Sequence, residues 1–219
     1  MIPRRTALSA ALLALTGFTL LIVPGCATRP PVAERMAISP MGTVTTYHRK
    51  SSGSLGNYDG QVAWTHAPAT WQGKPVIAFG APQAGVVLAD PVSFAMIAML
   101  HPDGRPMMAF DPPMDYAWPL TVGQTWSTQY TVTLYPSGAK VPLKRDFKVE
   151  GTEEVTVPAG TFKAWKLSWK DSTGESETRW ISPAQGIATV KRHVERTASH
   201  PQGPGVLDAE LISLVLPAK

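Results

Sequence analysis

Trp126-Ser127-Thr128-Gln129-Tyr130-Thr131-Val132-Thr133-Leu134 is followed by Tyr135-Pro136-Ser137-Gly138 and, two residues later, by Val141-Pro142-Leu143-Lys144-Arg145-Asp146-Phe147-Lys148-Val149. This stretch decides the fold class. In the first segment Trp126, Thr128, Tyr130, Val132 and Leu134 hold the even positions, and the odd ones are polar. In the second segment Val141, Leu143, Phe147 and Val149 alternate with polar residues or proline, with Arg145 the one exception on the apolar side. A period of two means a strand with one buried and one wet face. Between the segments, proline presets φ for a type I turn and glycine supplies the left-handed residue that closes a hairpin.

Working outward, the same x-Pro-x-Gly device recurs at His101-Pro102-Asp103-Gly104 and Val157-Pro158-Ala159-Gly160. Asp171-Ser172-Thr173-Gly174 and Thr70-Trp71-Gln72-Gly73 are the same turn without proline. Five hairpin turns predict an antiparallel meander. Further strands are expected at 43–50, 61–66, 75–79, 86–89, 105–110, 153–157, 162–170, 175–181, 187–194 and 206–216. Within 162–169 the apolar phase changes from even (Phe162, Ala164) to odd (Trp165, Leu167, Trp169), which predicts a bulge near Ala164.

Residues 90–100 admit two readings. Asp90 can cap a helix with Pro91 at its first position. The segment is apolar on both faces and runs directly into a hairpin turn, which favours a buried strand. Asp111-Pro112-Pro113-Met114-Asp115 is the strongest internal break and divides 42–115 from 118–217. The expected fold is one mainly all-β domain over 42–217, with few or no helices. Its form is a curved antiparallel meander sheet, a half-open barrel or clam.

The N-terminus reads as an address. Arg4 and Arg5 precede an apolar run from residue 7 to 23, and Val23-Pro24-Gly25-Cys26 follows. Charge, apolar stretch and a small residue at a cleavage point make a secretory signal over 1–25. Val23 and Gly25 satisfy a lipobox, and the Cys26 thiol is the nucleophile that takes a diacylglyceryl group. Pro24 is less usual there. A cleaved signal with an incidental cysteine and a single anchor helix are the competing readings. The twin-arginine route lacks its downstream Phe and Lys. Ala27, in place of Asp, argues for the outer membrane in a Gram-negative host. The Pro-rich segment 26–41, with Arg29-Pro30-Pro31 and Ser39-Pro40, reads as a lipidated Cys and a stiff tether.

The chain carries a formal charge of +4. Removing 1–25 takes away Arg4 and Arg5 and no acid, which leaves 18 basic against 16 acidic residues, or +2. No Lys/Arg cluster or basic helix is present, so a nucleic-acid footprint is absent. Cys26 is the only cysteine, so no disulfide can form within the chain and stability rests on the core.

Pro119-Leu120-Thr121-Val122-Gly123-Gln124-Thr125-Trp126 opens the second half. Gly151-Thr152-Glu153-Glu154-Val155-Thr156-Val157-Pro158-Ala159-Gly160-Thr161-Phe162 and Trp180-Ile181-Ser182-Pro183-Ala184-Gln185-Gly186-Ile187 follow. This order resembles a functionally uncharacterised β-domain of bacterial envelope proteins and lipoproteins, of the VPAGTF … WxSPxxGI type. The resemblance covers 119–194 and implies a curved antiparallel sheet similar to the clam shape of periplasmic lipoprotein carriers. It carries no catalytic residues. The first half, 42–115, matches no pattern.

No nucleophile elbow, phosphate loop, dinucleotide fingerprint, HExxH helix or CxxC pair occurs. His48, His66, His101, His193 and His200 show no zinc spacing and read as surface or turn residues. Met96, Met99, Met107, Met108 and Met114 cluster around His101; a Cu(I) site is the sharp reading, and gap-filling in an irregular core the favoured one. Glu153, Glu154, Glu175 and Glu177 could pair as glycosidase carboxylates, but Glu175 and Glu177 alternate with Ser176 and Thr178 and read as a solvated face. Trp126, Trp165, Trp169 and Trp180 are candidates either for core packing or for lining a ligand cavity.

The expected function is therefore that of a lipid-anchored, periplasm-facing outer-membrane lipoprotein. Its expected activity is non-enzymatic binding of an apolar ligand, lipid or envelope polypeptide, with no cofactor and no metal. The alternative is an accessory protein-binding subunit of an envelope assembly.

Overall fold

The structure is a computed structural model, and it describes residues 30–81 and 84–218. Cys26 and the leader lie outside the described residues. In chain order the strands are β1 (Val32–Ala33), β2 (Val44–Gly53), β3 (Tyr58–Trp71), β4 (Lys74–Ala81), β5 (Gly85–Ala89), β6 (Met96–Leu100) and β7 (Pro106–Met114). They continue with β8 (Leu120–Thr121), β9 (Thr125–Leu134), β10 (Ala139–Val157), β11 (Gly160–Asp171), β12 (Glu175–Ser182), β13 (Ile187–Arg196) and β14 (Gly205–Val215). One short 3-10 turn, Pro183–Gln185, precedes β13.

All five expected turns join neighbouring antiparallel strands. The deciding hairpin, β9–β10, pairs Leu134 with Ala139 and Trp126 with Phe147. Its closing Gly138 has φ 71° and donates its N–H to Leu134 O at 2.8 Å. The all-β expectation holds, and the half-open form does not. Twelve strands close into one barrel in the order β10-β11-β12-β13-β14-β2-β3-β4-β5-β6-β7-β9. The seam is β2 against β14, from Val44–Val215 to Gly53–Gly205. Closure removes two long edges whose backbone donors and acceptors would otherwise stand unpaired. The far end of the seam demands glycine: Gly53 has φ 63°, and a Cβ there would lie 2.3 Å from Pro204 O.

Four further expectations change. Residues 90–100 are neither a helix nor a single strand. Asp90 accepts hydrogen bonds from Val92 N (2.9 Å) and Ser93 N (2.8 Å), as a cap would, but it caps a loop, and only 96–100 is a strand. In that loop Phe94 adopts φ 65°, and its ring stacks 5.2 Å from Phe79. Asp111-Pro112-Pro113 is no break, because β7 runs through it to Met114. The expected strands 141–149 and 153–157 are one strand, β10. The bulge lies on β10, where Glu150 is skipped between Val149–Leu167 and Gly151–Lys166, and not at Ala164.

The segment expected to be a tether is partly wall. β1 pairs with β8, Ala37 N donates to Pro183 O at 2.9 Å, and Ser39 Oγ donates to Gly186 O at 3.0 Å. Ala33 and Met36 join Leu120, Val149, Trp165, Leu167 and Ile181 in one buried cluster. Residues 30–41 therefore belong to the folded body and close one end of the barrel. Other apolar clusters fill the wall around Phe110, Tyr130, Val132 and Leu143, and around Val76, Leu88 and Ala98. Met96, Met99, Met108 and Met114 pack against the first of these. That is the gap-filling role.

Residues directly opposite in a ladder share a face. The row Lys148, Ser168, Thr178, His193, Asp208, Lys50 and Asp59 runs across seven strands of the outer wall. A transmembrane barrel carries an apolar band in that place. Among the described residues no helix is long and apolar enough to cross a membrane.

Candidate functional site

Alternation on β10, β11, β12 and β13 sends one charged set inward. Trp169 faces Phe147 on one side and Glu177 on the other, and Glu177 faces Val194. Two residues along, Leu167 faces Arg179, which faces Arg192. Glu177 is thus an inward residue, with 4% of its surface exposed. The expected solvated face does not exist there: the inner row of β12 is Glu175, Glu177, Arg179 and Ile181, and the outer row is Ser176, Thr178 and Trp180.

Glu177 is the hub. Its Oε1 lies 2.6 Å from Arg179 Nε, and its Oε2 accepts from Arg179 NH2 at 3.0 Å, a fork-to-fork pair. Trp169 Nε1 donates to Oε2 at 3.0 Å. Arg192 Nε stands 3.0 Å from Oε1 without the alignment of a hydrogen bond, so it contributes charge but keeps an unsatisfied donor. Burial pushes the Glu177 carboxyl up, and Arg179 and Arg192 more than offset this, holding it below the ordinary value. It remains an anion. Arg179 is raised: burial opposes its charge, but Glu177 outweighs burial. Arg192 is lowered by burial and by the neighbouring Arg179.

Arg145, the exception in the sequence pattern, lies in the same interior. Its guanidinium carbon sits 3.4 Å from the Trp169 ring centroid, NH1 donates to Met114 Sδ at 2.8 Å, and NH2 reaches Asp171 Oδ2 at 3.4 Å. Its Nε has no partner. Burial lowers its pKa, and Asp171 partly restores it. Nearer the loops, Arg196 pairs with Glu175 at 2.6 Å, and Arg49 has only the neutral partners Ser51 Oγ and Leu55 O. Among the described residues five inward arginines thus meet three inward strand carboxylates: Asp171, Glu175 and Glu177.

An aromatic layer borders the cluster. Trp126 and Phe147 stack at 4.8 Å, and Tyr116 sets its edge against both, and against Trp118 at 5.9 Å. Burial raises the pKa of Tyr116 and of Tyr47, and the arginines oppose this. Arg179 and Arg192 project from the inner rows of β12 and β13 and keep 25% and 29% of their side chains open. Eight strands make a barrel that side chains just fill, and twelve enclose more.

The four candidate tryptophans divide. Trp126, Trp165 and Trp169 are on the inner face. Trp180 stands on the outer row opposite Lys166 and Lys191, whose ammonium groups lie 5.2 and 5.7 Å from its ring, and it donates to Glu153. His66 departs from its surface reading. It is 6% exposed, packed against Phe79 and Phe94, and burial lowers its pKa. The other sites named from sequence do not converge: His101 stays in its turn, and the outer-wall pairs His48–Asp59 and His193–Asp208 stand apart from the lumen. Among the described residues no group of three or more His, Cys, Asp or Glu is placed to hold a metal. Arg179 and Arg192 were missed, and Glu177 was read as solvated, because charge at alternate positions reads as wet. Arg145, flagged on the apolar side, was the available signal.

No protein-family model matches the chain, and no curated protein sequence matches it. Similar solved structures include a chain from Parabacteroides distasonis designated a lipoprotein, at TM-score 0.44 and 14% identity, covering 84% of this chain and 99% of that one. A Bacteroides fragilis chain designated an exported protein with a YmcC-like fold has TM-score 0.44 and 13% identity, covering 84% and 100%. The hypothetical lipoprotein YmcC of Escherichia coli has TM-score 0.43 and 12% identity, covering 83% and 91%.

Proposed function

We propose that this chain is a lipid-anchored, periplasm-facing lipoprotein of the outer membrane whose barrel holds an amphiphile with an apolar body and an acidic group. The anchor rests on the leader and on Cys26 in its lipobox. The ligand class rests on one observation: Arg179 and Arg192 stand on the inner face of β12 and β13, beside an aromatic layer, and keep a quarter or more of their side chains open. A guanidinium is a planar, permanently charged donor suited to carboxylate and phosphate. Tyr116 and Trp126 supply the apolar contact. The carboxylates are committed to arginines, so the cluster is built for recognition, and no residue is assigned a chemical step.

The alternative, a platform that captures a partner strand, needs a long free edge, and the barrel closure removes it. The test is gentle isolation of the full-length chain from its envelope, followed by solvent extraction and mass spectrometry. A stoichiometric acidic amphiphile supports the reading. An empty lumen together with a co-purifying protein at equal stoichiometry supports the platform instead.

A further inference from the structure

Six large apolar side chains, Val32, Met41, Val92, Val122, Val215 and Leu216, are exposed, Val92 by 76% and Leu216 by 59%. They come from distant parts of the sequence and gather at one end of the barrel. β1, with Val32, pairs with β8 just before Val122. Val215 ends β14 opposite Val44 at the start of β2, and Pro217 touches the site of Gly42, next to Met41. The loop bearing Val92 is fixed to this end by Phe94, which packs on the Ala33–Met36–Leu120 cluster. Among the described residues the other exposed large apolar side chains, Tyr58, Val141 and Val206, belong to the opposite end.

The described chain begins at this apolar end. Cys26 stands four residues before Pro30. Four residues, fully extended, span at most about 14 Å. A strand as long as β2 extends roughly 33 Å along its own axis. A lipid on Cys26 therefore keeps the β1 end near the bilayer and leaves the far end out of reach. We infer that this apolar rim rests on the membrane surface, so that the barrel stands end-on with these side chains entering the headgroup boundary. The inference rests on the lipid anchor in the function proposed above. Lying on its side, the barrel would press the wall of Lys50, Asp59, Lys191, Asp208 and Glu210 against that boundary. Standing on end, it leaves those charges in water.

The full-length chain, processed in a bacterial host and reconstituted in vesicles of phosphatidylethanolamine and phosphatidylglycerol, is irradiated with a photoactivatable phospholipid. Labelled peptides are mapped by mass spectrometry, and the mass of the N-terminal peptide reports Cys26 acylation in the same sample. Labels are expected at residues 32, 41, 92, 122 and 215–216, about tenfold above segments 54–58, 135–141 and 197–206. The triple variant Val92→Asp, Val122→Asp, Leu216→Asp, changed only at exposed positions, is expected to lose most rim labelling while its thermal unfolding and its acylation are unchanged. Labels spread along the wall, labels at the far end, or an unaltered pattern in the variant overturn the orientation with the anchor intact. An unacylated Cys26 overturns the anchor and the orientation together.

Discussion

The Arg145 guanidinium carbon lies 3.4 Å from the centroid of the Trp169 ring, inside the barrel, and the same indole donates its N–H to Glu177 Oε2 at 3.0 Å. One ring thus ties two parts of the cluster, Arg145–Asp171 and Glu177–Arg179–Arg192, into a single network. Trp169→Phe keeps a flat face for Arg145 and deletes the N–H. Its expected cost is about 2 kcal/mol in urea unfolding, the scale of one hydrogen bond to a charged group. Trp169→Ala also opens a cavity, and its expected cost is about 4 kcal/mol.

Glu177→Gln leaves Arg179 and Arg192 facing each other without their counter-ion. A loss of about 3 kcal/mol is expected at neutral pH. The carboxyl is depressed when folded, so the unfolded chain binds the proton first as pH falls. The stabilisation is complete above the ordinary 4.5 and disappears as pH drops through the folded value. Acid unfolding of the parent should steepen below pH 4.5, and the difference from the Gln variant should narrow there. A constant difference down to pH 2 would contradict this.

His66 behaves with the same sign for a different reason. Burial beside Phe79 and Phe94 favours the neutral ring, so its folded pKa falls below the ordinary 6.5. Stability is full above that value and declines as pH falls from it toward the folded pKa, because only the unfolded chain takes the proton. His66→Phe should flatten the stability curve within this window, as followed by thermal melts between pH 5 and 7.5.

Much of the fold was legible, and the reasons for the rest are specific. The β9–β10 hairpin could be read because its apolar face is continuous and its turn has the required chemistry. The β2–β14 seam could not, since Tyr47 and Leu211 meet across the whole domain and no local signal names a partner. Residues 30–41 read as a proline-stiffened tether, yet Met36 and Ser39 are buried, Met36 in the Ala33–Leu120 cluster and Ser39 through its bond to Gly186 O. Trp165 and Trp169 were placed on the correct face by alternation. Trp180 was not, because its strand puts Glu177 and Arg179 inside and thereby turns the indole out. A charge that a barrel interior pairs looks, in sequence, like a charge that water solvates.

The seam itself can be tested at its far end. Gly53→Ala imposes a left-handed φ on alanine and drives its Cβ into Pro204 O. Gly56→Ala has a positive φ too, with nothing within 4 Å. Denaturant unfolding should show a loss of about 1 kcal/mol for Gly56→Ala, the backbone penalty alone, and at least twice that for Gly53→Ala. Equal losses would mean that the β2–β14 closure is not as tight as described.

The most direct measurement of the central claim is the binding of an acidic fluorescent fatty acid and of its uncharged methyl ester to the full-length chain. It is repeated on Arg192→Met, which leaves the Glu177–Arg179 fork in place. Saturable binding is expected, with the acid preferred by about tenfold over the ester in the parent and that preference lost in the variant, a change of about 1.4 kcal/mol. Equal affinity for acid and ester in the parent, or a preference unchanged by removing Arg192, would contradict the assignment of the barrel interior as the acidic-group site.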